Sequence, residues 1–132
     1  MKNLMKTNCY DIPEEIVIVG SCLETMQTKA FEELKNKYSN NIYEVCLEEV
    51  HLNMVITKLF GMLSRVNVKR IVFATVDKSP HCIQMHYIEN EIKKAMKLNG
   101  TEFIHYVAVD NKLVKISNET IRKSKSLAEI EQ

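Results

Sequence analysis

Two short runs of apolar, mostly β-branched residues constrain this chain most: Ile16-Val17-Ile18-Val19 and Ile71-Val72-Phe73-Ala74. No polar residue interrupts either run, the mark of strands covered on both faces in a parallel sheet. Segments with helical spacing alternate with them. Thr25 to Tyr38 sets Met26, Ala30, Phe31 and Leu34 on one face, and His51 to Val66 carries a wide stripe of Leu52, Val55, Ile56, Leu59, Phe60, Leu63 and Val66. Pro80 to Leu98 reads as a third helix, with Ser79 as N-cap, Pro80 at the first helical position and Asn99-Gly100 as the stop.

Three further strands complete the pattern. Ile42 to Leu47 is a strand nearer the sheet edge, and Glu102 to Val109 is another. Asp110-Asn111 turns the chain back into Lys112 to Ile116, and Ser117 or Asn118 caps a last helix with Ile121, Leu127 and Ile130. The order β-α-β-α-β-α-β-β-α predicts an α/β fold. It would be a three-layer, Rossmann-like or flavodoxin-like arrangement: a mostly parallel sheet, helices on both faces and a C-terminal antiparallel hairpin strand. The 132 residues read as a single domain, residues 1–13 forming an irregular lead-in.

Composition removes several function classes. A net charge of +1, with no Lys/Arg run longer than two, supplies no field for nucleic acid or an anionic membrane. No apolar run reaches the ~20 residues a membrane span needs. The lead-in has Lys2 and Lys6 but no apolar core of a signal peptide, so the chain reads as cytoplasmic, with its four cysteines reduced. Neither GxGxxG nor GxxxxGK[ST] occurs, which argues against a glycine-rich phosphate loop.

The reactive residues gather at one edge. In a parallel sheet the carboxyl ends of the strands share a rim, where ligands bind. Gly20, Ser21 and Cys22 follow the first long strand, Cys46 ends the next, and Asp77, Ser79, His81, Cys82 and His86 follow the third. His51 opens the helix between them, while Cys9 in the lead-in reads as an incidental exposed thiol and His105, inside a strand, as structural. Cys82 and His86, four apart on one helical face, could share an ion with Cys22 and Cys46, a soft set suited to zinc or an iron–sulfur centre. A cysteine in the first turn of a helix also has its thiolate favoured.

The stretch from Cys46 to His86 resembles the small iron–sulfur delta subunit of methyl-viologen-reducing hydrogenases. The likeness rests on Val45-Cys46 ahead of a helix, the strand Ile71 to Ala74, and His86-Tyr87-Ile88-Glu89 in the next helix. Met85 stands where that family has a cysteine before His-Tyr, and Val76-Asp77 occupy a turn where it has another. The resemblance implies a [2Fe–2S] cluster that passes electrons to a partner protein, with Cys46 the residue that carries over.

Three functional readings follow. The first is a redox-associated module with a metal or iron–sulfur centre on Cys22, Cys46 and Cys82 with His81 or His86, or a reactive thiolate. The second is a metal-free domain binding a small molecule (an anion or nucleotide) or a partner, through Gly20, Ser21, Ser79, His81 and Cys82. The third is an enzyme with Cys82 as nucleophile and His86 or His51 as base, Asp77 orienting a histidine. Leu59, Phe60, Met62 and Leu63 nearly wrap their helix, which predicts burial by a second subunit in a homodimer.

Overall fold

A computed structural model describes residues 2–38, 41–98 and 100–131, without the side chains of His81 and Cys82. Its centre is a six-stranded sheet. The strands are β1 (Lys2–Asn3), β2 (Glu15–Gly20), β3 (Ile42–Val45), β4 (Arg70–Val76), β5 (Glu102–Val109) and β6 (Lys112–Ile116), in the spatial order β1-β3-β2-β4-β5-β6. All neighbours pair in parallel except β5 and β6, which form the expected antiparallel hairpin. Asp110 and Asn111 make its turn with φ of 52° and 59°, the left-handed pair that a two-residue hairpin of this hand requires.

The helices are α1 (Leu23–Met26), α2 (Thr28–Tyr38), α3 (Leu52–Arg65), α4 (Pro80–His86), α5 (Ile88–Ala95), α6 (Asn118–Lys123) and α7 (Leu127–Glu131). Alternation along β2 and β4 divides the core. Val17, Val19, Val72 and Ala74 pack with Leu23, Ala30, Phe31 and Leu34 of α1 and α2. Ile16, Ile18, Ile71 and Phe73 pack with Val55, Leu59 and Met62 of α3 and with Met85, Ile88 and Ile92 of α4 and α5. Each layer alone would leave a wet apolar face; the three-layer stack buries Ile16 to Val19 and Ile71 to Ala74 completely.

Several expectations change. The lead-in is not irregular throughout: it pairs β1 with β3 at the edge, makes a 3-10 turn at Leu4–Lys6, and buries Leu4 fully. That lead-in also packs in the layer of α3. Met5, Cys9 and Ile12 pack on the same core cluster as Phe60 and Leu63. Cys9 is half-buried rather than exposed, with its Sγ 3.1 Å from where a Cβ on Gly61 would stand.

The helix expected from Thr25 to Tyr38 is two helices that meet near Gln27, which leaves Met26 61 % exposed instead of in the core. The helix expected from Pro80 to Leu98 breaks at Tyr87, whose N–H donates to the Gln84 carbonyl in a tight three-residue turn, and it ends at Ala95 because Met96 is extended. Of the expected stop, Gly100 takes a φ of +80°, and Asn99 lies outside the described residues. Ser79 occupies the N-cap of α4 but its side chain makes no capping hydrogen bond, whereas Ser117 accepts from the Thr120 N–H and caps α6. The last helix splits as well. Ile121 is buried, while Leu127 and Ile130 of α7 stand in solvent. Among the described residues no helix is long and apolar enough to cross a membrane.

Candidate functional site

The strand order places a crossover at β2 and β4. From β2 the chain steps outward to β3, then returns past β2 to β4, so the connections leave in opposite directions. The connections that leave the carboxyl ends of β2 and β4 therefore diverge, and the crevice outside those ends is where ligands sit in open α/β sheets.

A cavity of about 340 Å³ opens there. Gly20, Ser21 and Cys22 line it after β2, Val45, Cys46, Leu47 and Glu48 after β3, and Val76, Asp77, Lys78 and Ser79 after β4; Met26 of α1 and Met85 of α4 close its sides. The loops that hold these residues are tied to the sheet. Ser21 N–H donates to the Val45 carbonyl at 3.1 Å, and Asp77 N–H to the Ala108 carbonyl at 3.0 Å. The Cys46 carbonyl accepts from the N–H groups of Glu49 and Val50, making a compact turn before α3.

Lys78 has a φ of 70°. Among the described residues, the other non-glycine residues with positive φ are an Asp and an Asn in a hairpin turn, where that conformation is common. A lysine in the left-handed region is held there against its preference, and such residues concentrate where a loop shapes a site. The wall is mainly apolar and sulfur-bearing, with Glu48 and Asp77 against Lys78 as its charges.

Gly20, Ser21, Cys22, Cys46, Asp77 and Ser79 thus meet around one cavity. The side chains of His81 and Cys82 lie outside the described residues. His51 occupies the N-cap position of α3 without a side-chain capping hydrogen bond, and it is exposed and does not line the cavity. His86 points into the interior and is 3 % exposed. Its Nε2 lies 2.8 Å from the Thr75 hydroxyl and its Nδ1 2.9 Å from Nδ1 of His105, so both nitrogens are engaged inside the core.

These contacts belong to a buried chain. His105 Nε2 donates to a Glu89 carboxylate oxygen at 2.7 Å, and the other Glu89 oxygen accepts from Lys93. Phe73 stacks on the His105 ring, with centroids 5.3 Å apart. Burial, with a smaller contribution from His105, lowers the His86 pKa from 6.5 to about 3, so the ring is neutral. Burial alone would raise the Glu89 carboxyl, but hydrogen bonds from His105, Lys93 and Asn118 outweigh it and hold the group at about 2.

Thr75 and Glu89 carried no expectation from the sequence. The available signal was misfit: His86 and Glu89 sit among Met85, Ile88 and Ile92 on the apolar side of their helices, and His105 interrupts an apolar strand. The inner end of the chain lies beside the cavity. Thr75 precedes the wall residue Val76, and His86 follows the wall residue Met85.

Comparisons with family models, with curated proteins and with solved structures find no match to this chain.

Proposed function

We propose that this protein is a small-molecule-binding α/β domain whose ligand occupies the strand-end cavity between β2, β3 and β4. The observation that carries the reading is the convergence of three strand ends at the crossover on one cavity of about 340 Å³. That volume is at the small end of the roughly 300–1,000 Å³ of ligand pockets, which suits one ring system or a short chain rather than a dinucleotide. The apolar wall would hold the body of the ligand, and Asp77, Lys78 and Ser79 its polar end. Two carboxylates against one ammonium favour a neutral or cationic group there over an anion.

The test is a thermal-shift screen with neutral and cationic ring compounds and short-chain amines, nucleotides serving as the anionic comparison, repeated on Ser21→Phe, which fills the cavity. A ligand at one hundred times its dissociation constant stabilises by about 2.7 kcal/mol. The reading predicts a hit whose stabilisation disappears in Ser21→Phe. A hit that stabilises both proteins equally, or a screen with no hit, counts against it.

The presence of Cys22 and Cys46 in the wall of the same cavity supports a second reading, a redox-associated module working beside an electron-transfer partner. A metal centre there would draw on Cys22 and Cys46. Among the described residues, which leave out the Cys82 side chain, no group of three or more His, Cys, Asp or Glu is gathered for an ion. Anaerobically purified protein should then show Cys46 alkylated faster than Cys9, which is packed against α3. Metal-free protein with equal rates at the two thiols sinks this second reading.

A further inference from the structure

Away from the rim, α5 and α6 enclose a shallow hollow of about 440 Å³ lined by Asn90, Lys93, Lys94, Arg122 and Lys125. Four cationic side chains converge on it, against two nearby carboxylates. Lys93 is paired with the buried Glu89, and Lys94 lies 3.5 Å from Glu91. Arg122 and Lys125 are the excess, and the Lys125 ammonium sits over the Tyr87 ring, 4.3 Å from its centroid. Drawing like charges together is unfavourable unless an anion joins them.

A second feature of the same hollow points the same way. Glu89 only accepts hydrogen bonds, so Asn118 presents its amide N–H₂ to it, and the same group donates to Asn90 Oδ1 at 3.1 Å. That orientation leaves the Asn90 Nδ2 group a donor with no acceptor, withdrawn from water. Such a group is uncommon in a folded protein and calls for a partner.

We propose that this hollow is a binding site for the phosphoryl group of a small phosphorylated molecule. Arg122 offers a planar fork for two phosphate oxygens and the three lysines supply point charges, while a turn of the Asn90 side chain toward the hollow would bring its otherwise buried Nδ2 to the anion as a neutral donor. The hollow shares no lining residue with the rim cavity, so its ligand is a separate question from the one bound there.

The test is an NMR titration of the full chain with inorganic pyrophosphate at constant ionic strength. Saturable shifts are expected at the Asn90 side-chain amide and the Arg122 Nε–H. The double variant Arg122→Ala/Lys125→Ala should weaken binding by at least about tenfold, while Lys112→Ala/Lys115→Ala on β6 should leave it unchanged. Shifts spread over surface lysines generally, or equal affinity in both double variants, would mean an adventitious ion only and overturn the proposal. Sedimentation with phosphatidylglycerol vesicles separates the other source of phosphate: binding to vesicles without binding to pyrophosphate also overturns it.

Discussion

His86 and His105 meet Nδ1 to Nδ1 at 2.9 Å inside the core, one from the end of α4 and the other from the middle of β5. One of the two nitrogens must carry the hydrogen, and the rest of the chain follows from that choice. Glu89 requires a hydrogen on His105 Nε2. With His105 neutral, His86 donates to it from Nδ1 and accepts the Thr75 hydroxyl at Nε2. With His105 protonated, each of these bonds reverses. Every nitrogen is satisfied in both arrangements, so the pair tolerates burial that an isolated histidine would not.

Removing the centre of this chain should cost more than removing its end. His105→Leu takes a hydrogen bond from a buried carboxylate and another from His86, and should destabilise by about 3 kcal/mol. Thr75→Val deletes a single neutral bond and should cost about 1 kcal/mol. Urea unfolding followed by circular dichroism measures both; equal losses would show that the chain does not behave as a polar unit.

Acid should destabilise the fold through two members of this chain, His86 and Glu89. The His86 pKa is 6.5 when unfolded and about 3 when folded, so between those values the unfolded state binds more protons. Its contribution is full above pH 6.5 and is lost as pH falls toward 3. Glu89, lowered from 4.5 to about 2, contributes fully above pH 4.5 and loses that contribution below it. The urea midpoint should therefore drop between pH 6.5 and 4.5, and His86→Gln should flatten that part of the profile.

Lys78 stands in the left-handed region at the cavity wall. Lys78→Gly relieves that conformation but adds freedom to the unfolded chain, for a net gain of about 0.5–1 kcal/mol. A loss of stability instead would show that the Lys78 side chain holds the loop.

The N-terminal segment should behave as part of the fold. Leu4 is fully buried in the cluster beneath α3, so Leu4→Ala should cost about 3 kcal/mol by thermal or urea unfolding. A cost below about 1 kcal/mol would mean that the segment merely lies on the surface.

Gly61 lies inside α3, where alanine gains up to about 1 kcal/mol of helix propensity, but its new Cβ would stand 3.1 Å from Cys9 Sγ. Gly61→Ala alone should change little. Combined with Cys9→Ala, which removes the sulfur, it should gain more than the two single changes added together. A double-mutant cycle measures the coupling, and simple additivity would deny the contact.

By itself the sequence determined the layer architecture, the hairpin at Asp110-Asn111 and the edge on which Cys22, Cys46, Asp77 and Ser79 would meet. These follow from the period and punctuation of each segment, which record how each element is buried. They follow equally from the handedness of parallel crossovers, which puts all carboxyl ends on one rim. Tertiary structure alone decided the rest. The break at Tyr87, the exposure of Met26, Leu127 and Ile130, and the pairing of β1 with β3 depend on where each segment ends up against the sheet. The link from Thr75 through His86 and His105 to Glu89 joins residues up to 30 positions apart, through the parallel register that sets Phe73 beside His105. Local pattern marks each of these polar residues as a misfit on an apolar face; only the packing of α4 and α5 over β4 and β5 makes them one another's partners.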